Sequence, residues 1–308
     1  FVCEKDKRKQ VTSLCWNPAN NDLFAVGYGS YDFSKQGPGM IACFTLKNPS
    51  HPEYLLVEAD HPSMIAVGLY DGTVLVYNIQ KKTDAPIFKS TARQGKHTDP
   101  VWQVGWQKDD LDDNANFFSV SSDGRVTQWT LLKNELNHTD VIKLRYDMDP
   151  SSDVTGSGED EKLFSLAGGC CFDFHKNSDH LFVVGTEEGK IHKCSKDYNS
   201  QYLLSFDGHQ MATYTVRYSP FHCNIFLSAS ADWTVKLWDH DQQKAIMSFD
   251  LNSSVGDVAW APYSSTVFAA VTAEGKLSPN LRKKSRGDED EAARLDRILM
   301  VAMGKVAE

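Results

Sequence analysis

Ile225-Phe226-Leu227-Ser228-Ala229-Ser230-Ala231-Asp232-Trp233-Thr234-Val235-Lys236-Leu237-Trp238-Asp239 is an apolar strand, a tight acidic turn and a second strand that closes on Trp-Asp. The pattern recurs six times along the chain. Turn centres fall at Asp71, Asp123, Glu188, Asp232 and Glu274, in steps of 52, 65, 44 and 42 residues. A repeat of ~40–45 residues with this ending reads as one four-stranded blade of a propeller, an all-β fold. Propellers act as rigid platforms, so function is to be sought on their loop rims.

Working outward, each copy opens with an alternating segment that ends in an aromatic, often followed by proline. Val11 to Pro18, Val101 to Trp106, Cys171 to His175, Thr215 to Pro220 and Asp257 to Pro262 are of this kind. The second element is nearly all apolar or small, as in Leu23 to Val26, Met64 to Gly68, Phe117 to Val120, Leu181 to Gly185 and Val267 to Val271. Unalternating runs suit strands covered on both faces, as between neighbouring blades. Asp-Gly and Glu-Gly pairs then close hairpins. No segment before residue 288 sustains a helical apolar period.

These residues resemble the WD-repeat family. The resemblance implies a buried network of a His before the first strand, a Ser or Thr, the turn Asp and the Trp. His97, Ser119 or Ser121, Asp123 and Trp129 match it, as do His209, Ser228 or Ser230, Asp232 and Trp238. Burial alone demands mutual satisfaction of such groups. A Ser-His-Asp set invites a hydrolase reading, but two equivalent copies in one chain argue for structure, since a triad is defined by geometry.

The repeat also breaks. Between Leu46 and Met64 there is no room for the last strand of one blade and the first of the next, and Glu274-Gly275-Lys276 runs straight into Leu277-Ser278-Pro279-Asn280. An unclosed ring leaves costly sheet edges. The spacing therefore predicts missing residues after about Leu56 and after Lys276, with seven blades in the intact protein, about six visible and the last absent. The start on the first repeat likewise predicts a native N-terminus further upstream. The domains expected are a propeller over 1–276 and a tail over 277–308. Residues 147–162, acidic and rich in Gly and Ser, read as a loop inserted in the propeller. In the tail a basic run, Arg282 to Arg286, and an acidic one, Asp288 to Glu291, precede an apolar stripe at Leu295, Ile298, Leu299 and Ala302. That spacing predicts an amphipathic helix, buried against the propeller or against another protein.

Of 308 residues, 41% are hydrophobic and 24% charged, an ordinary globular balance, and no apolar run reaches the ~20 residues of a membrane-spanning helix. The net charge of −9 argues against nucleic acid or an anionic membrane as partner. Seven cysteines, with no Cys-x-x-Cys pair, point to reduced thiols and a cytoplasmic chain. The chain lacks the Gly-x-x-x-x-Gly-Lys-Ser/Thr loop that cradles phosphates, and Gly27-x-Gly29 has no strand-to-helix context. His175, His180 and His192 lack metal-ligand spacing. A non-enzyme without cofactor or metal is expected.

Beyond the generic repeat, Val11 to Pro18, Leu23 to Phe33, Asp99 to Gln107 and Ser121 to Trp129 resemble the opening blades of dynein intermediate chains. Phe117 to Trp129, Gly185 to Cys194, Val255 to Thr272 and Leu277 to Lys283 resemble the axonemal outer-arm branch in particular. The resemblance implies a non-catalytic scaffold of the ciliary outer-arm motor, located in the cytoskeleton of the cilium or flagellum. Its implied partners are a dynein heavy-chain tail, a second intermediate chain, and light chains held on an N-terminal extension outside this sequence. Microtubule association is then indirect. A cytoplasmic or ciliary-transport dynein subunit, or another WD-repeat scaffold, is the alternative. Candidate contact residues are the rim aromatics Tyr28, Tyr31, Phe33, Tyr70 and Trp233, and Trp102, for which a rim and an interior position are both open, together with Leu295, Ile298 and Leu299 of the tail.

Overall fold

The computed structural model describes residues 1, 9–17, 20–30, 39–48, 64–78, 85–108, 114–133, 135–145, 166–198, 200–280 and 291–302. Among them the chain forms six antiparallel sheets in sequence order and one helix. The first sheet holds β1 (Gln10–Trp16), β2 (Leu23–Gly29) and β3 (Met40–Thr45). The second holds β4 (Met64–Gly68), β5 (Val74–Asn78) and β6 (Phe88–Lys89). Four-stranded sheets follow. The third is β7 (Val101–Gln107), β8 (Asn116–Ser121), β9 (Arg125–Leu131) and β10 (Leu136–Lys143). The fourth is β11 (Gly169–Phe174), β12 (Leu181–Thr186), β13 (Lys190–Ser195) and β14 (Leu204–Asp207). The fifth is β15 (Thr213–Tyr218), β16 (Ile225–Ser230), β17 (Thr234–Asp239) and β18 (Met247–Asp250). The sixth is β19 (Val255–Trp260), β20 (Phe268–Thr272) and β21 (Leu277–Asn280).

The core lies between sheets, which is why the second strands are apolar on both faces. Phe117, Trp129, Val74 and Val76 join the second sheet to the third. Phe118, Val120, Phe172 and Phe182 join the third to the fourth, and Val183, Ile191, Val216 and Phe226 the fourth to the fifth. Leu227, Leu237, Val258 and Phe268 join the fifth to the sixth. The first packs on the second through Ala25 and Cys43 against Ile65 and Tyr77. Every β8 and β16 residue is buried.

In the third to sixth sheets the turn between the second and third strands lies on the side where the first strand begins, here called the turn rim; in the second sheet the equivalent turn joins β4 to β5. The residue after the turn acid is left-handed in every described repeat: Gly72, Gly124, Gly189 and Gly275 have φ of 81°, 77°, 90° and 74°. In the turn of the fifth sheet the same place is taken by Trp233, φ 72°. The first strand of five sheets also shares a bulge, with register shifts at Val11/Ser13, Val101/Gln103, Gly169/Cys171, Thr213/Thr215 and Val255/Asp257. A bulge re-aims the skipped side chain. Here those residues are Thr12, Trp102, Cys170, Tyr214 and Gly256.

Two expectations are corrected. Leu277–Asn280, left outside the last blade by the repeat spacing, pairs with β20, with Leu277 opposite Val271 and Pro279 opposite Ala269. Left-handed Gly275 lets the chain reverse, and an edge strand tolerates Pro279. The tail helix α1 (Glu291–Ala302) buries Leu295 and Leu299, 0% and 3% exposed, in the cluster between the fifth and sixth sheets. These two candidate partner contacts thus pack on the chain itself, each burial being worth about 1.5–3 kcal/mol. Ile298 is half-buried, and Asp296 pairs with His222 at 3.1 Å. The break near Leu56, the inserted loop at 147–162 and the basic run at 282–286 lie outside the described residues.

Candidate functional site

The two buried networks are built alike from four elements. His97 comes from the linker before β7, Ser119 from β8, Asp123 from the turn and Trp129 from β9. His97 Nδ1 lies 2.9 Å from Asp123 Oδ2 and its Nε2 2.7 Å from Ser119 Oγ, while Trp129 Nε1 donates to the same Oγ at 2.7 Å. His209 Nδ1 lies 3.0 Å from Asp232 and Nε2 2.6 Å from Ser228 Oγ, which accepts from Trp238 Nε1 at 2.8 Å. Donor bookkeeping fixes the protons: the Trp N–H donates to Ser, the Ser O–H to His Nε2, and His Nδ1–H to the carboxylate. Ser121 and Ser230 do something else, donating to the backbone oxygens of Asp99 and Met211, both at 2.9 Å.

Burial works to raise the Asp123 carboxyl, but the His97 hydrogen bond, with those of Arg125, outweighs it and holds it well below the usual carboxylate range. Arg125 donates to Asp123 from Nε at 3.0 Å and from its terminal nitrogen at 2.9 Å. Asp232 is lowered similarly, burial being outweighed by Thr234 and His209. Burial pushes His209 down, so its ring is neutral at neutral pH. Ser119 and Ser228 are fully buried, and each is saturated by Trp and His. No substrate can reach either hydroxyl, so these sets stiffen two turns. At the equivalent place of the Trp the second and fourth sheets carry Tyr77 and Cys194.

What the networks hold in place is the turn rim, and the structure distributes the candidate aromatics over it unevenly. Tyr70, Trp102 and Trp233 are exposed at 50%, 48% and 54%. Trp102 is anchored, its Nε1 donating to Ser122 Oγ at 2.7 Å, and Ser122 Oγ donates in turn to Glu187 of the fourth sheet. Tyr28 is half-buried against Phe24, Val26, Ala42 and Phe44. Tyr31 and Phe33 lie outside the described residues. The sequence reading missed Leu166, Met211 and Tyr214, all about half exposed on this rim. Tyr214 was legible in principle, since it occupies the same bulge position as Trp102. Among the described residues no group of three His, Cys, Asp or Glu side chains could hold a metal ion, and no helix is long and apolar enough to cross a membrane.

Comparison with known proteins agrees with this architecture. A family model described as WD domain, G-beta repeat, matches residues 200–239, from the last strand of the fourth sheet to the Trp-Asp of the fifth. The chain is 58% identical over 288 residues to dynein intermediate chain 2, ciliary, of Heliocidaris crassispina, covering 90% of this chain and 40% of that protein. It is 55% identical over 263 residues to dynein axonemal intermediate chain 1 of Bos taurus, covering 82% of this chain and 37% of that one. It is 48% identical over 291 residues to the 78 kDa intermediate chain of the flagellar outer arm of Chlamydomonas reinhardtii, covering 90% and 42%. The chain thus spans about two-fifths of the length of these relatives.

Proposed function

From its kinship with the axonemal dynein intermediate chains, we propose that this chain is the propeller portion of such a subunit, a non-catalytic scaffold in the axonemes of cilia and flagella. The carrying observation is 58% identity to a ciliary intermediate chain over nine-tenths of the sequence. In this reading the propeller holds a heavy-chain tail and meets a second intermediate chain. Light chains bind a part of the protein outside this sequence, and contact with microtubules is indirect.

The turn rim is the surface proposed for the heavy chain. Anchored aromatics lose little side-chain entropy on binding and are the commonest hot spots. Trp102 is held by Ser122, and Trp233 stands at a left-handed position that four sister turns give to glycine. A left-handed non-glycine costs roughly 1–2 kcal/mol. Strain kept at an exposed indole is a mark of a contact site.

The test is a pull-down from demembranated cilia with the propeller as bait, bound heavy chains being identified by mass spectrometry. Recovery of outer-arm heavy chain with a second intermediate chain is expected. Recovery of cytoplasmic or transport dynein alone overturns the axonemal assignment.

A further inference from the structure

The rim opposite the acidic turns carries a pair of histidines that the scaffold reading does not use. His175 follows β11 and is 7% exposed. Its Nδ1 accepts the backbone N–H of Asn177 at 3.2 Å and of Ser178 at 2.9 Å. A nitrogen that accepts from two amides carries no proton, so the ring hydrogen sits on Nε2 and the ring is neutral. Across the seam, His240 follows β17 and is 5% exposed. The two rings stack, centroids 5.2 Å apart and planes 26° apart. Tyr218 of β15 meets both edge-on. Its hydroxyl lies 3.3 Å from His240 Nδ1, and His240 Nε2 lies 3.4 Å from Asp241. With Tyr218 O–H donating to Nδ1 and Nε2–H donating to Asp241, this ring is neutral too.

We propose that the stacked His175–His240 pair is an acid-sensitive latch on the seam between the fourth and fifth sheets. Protonating either ring breaks it. A proton on His175 Nδ1 would point at two N–H donors, so the Asn177–Ser178 turn must open. A charge on either ring faces the other ring at stacking distance. The turn rim differs, because His97 and His209 each face a carboxylate there and, among the described residues, neither stacks on a second imidazole.

The surrounding charges set the direction. From its own turn His175 sees Lys176, itself paired with Asp173, and His180; from β13, Lys193; from the fifth sheet, Asp241 and His240. Burial lowers its affinity for a proton most, with Lys193 and His180 adding to it and Asp241 opposing. His240 is lowered by burial first, then Lys193 and His175, against Asp241 and Asp239. Lys193 is itself paired to Asp241 at 2.8 Å and keeps that carboxylate charged. Both histidines therefore bind protons more weakly in the closed seam than in an open one. Closure is complete above an ordinary histidine value of about 6.5 and weakens as pH falls below it.

Between pH 7.5 and 5.5 the opening equilibrium should rise by up to about tenfold for one histidine freed and up to about a hundredfold for two. Hydrogen exchange read by mass spectrometry, corrected for intrinsic rates, measures this over peptides spanning 172–182 and 236–246. The wild-type chain needs no substitution and should show a rise there of up to about a hundredfold. The peptide spanning 121–131, on the turn rim, should rise less. His175→Asn, whose amide oxygen can accept the same two N–H groups without titrating, and His240→Gln should each cut the response to about tenfold or less. The double variant should lose it. A wild-type seam that opens equally at both pH values overturns the proposal, and so does a double variant that keeps the response.

Discussion

Replacing Trp233 by glycine should make the protein slightly more stable while removing a side chain proposed above as a contact for the heavy chain. At φ 72° the Trp233 backbone sits where its sisters are Gly72, Gly124, Gly189 and Gly275. Relief of the left-handed strain is worth roughly 1–2 kcal/mol. Glycine gives back about 0.5–1 kcal/mol through the greater freedom of its unfolded chain. The side chain contributes little against this, being 54% exposed, and the Leu251 N–H bond to the Trp233 carbonyl survives. The net is a gain of about 0.5–1 kcal/mol, or a rise of roughly 1–4 °C in melting temperature by the scaling for domains somewhat smaller than this. Thermal unfolding followed by circular dichroism measures it. Gly189→Ala is the converse control, because its new Cβ would stand 2.5 Å from the His209 oxygen and 2.6 Å from that of Met211. That variant should melt several degrees lower. A W233G protein that loses more than about 1 kcal/mol refutes the reasoning, for the indole would then be part of the fold and not a strained contact residue.

Three further outcomes follow from the same geometry. Ser228→Ala strands the Trp238 N–H and His209 Nε2 in a dry site, and at about 1–3 kcal/mol for each unpaired group should cost about 2–5 kcal/mol by urea unfolding, whereas Ser122→Ala on the surface costs under about 1. Leu299→Ala should cost about 2–5 kcal/mol of the contact between α1 and the sheets, read as faster amide exchange of 291–302. The Asp123 carboxyl is lowered in the fold, so its pairing adds stability above an ordinary carboxylate value of about 3.9 and loses it as pH falls below. An Asp123→Asn variant should therefore show a flatter acid-unfolding profile between about pH 5 and 2.

The repeat was legible because each turn writes its needs into sequence: an acid, then a residue that tolerates a left-handed backbone, then a Trp six places beyond the acid in the best copies. The choice between Ser119 and Ser121 was not, since residues two apart on a strand share a face and only the reach from His97 separates them. Trp102 was undecidable for a related reason. The Val101/Gln103 register shift resets the alternation, so strict parity misplaces the side chain at the bulge. Docking of α1 depended on which surface lay within its reach. Its stripe was visible in the sequence, but the receiving cluster of Leu227, Val258 and Phe268 comes from strands up to 72 residues away, as Leu227 to Leu299. Pro279 and the short turn before it hid β21, whose pairing rests on register with β20.

The most direct test of the account compares two triple variants as bait against demembranated cilia. One removes Trp102, Tyr214 and Trp233 from the turn rim; the other removes Tyr198, Leu203 and Tyr263, which are also exposed. Both should keep the wild-type circular dichroism spectrum, since none of the six side chains is buried. The account predicts that the first loses outer-arm heavy chain by at least about tenfold, the ~1.4 kcal/mol a single hot spot exceeds, while the second retains it. Heavy chain held equally by the first variant and the wild type would contradict it.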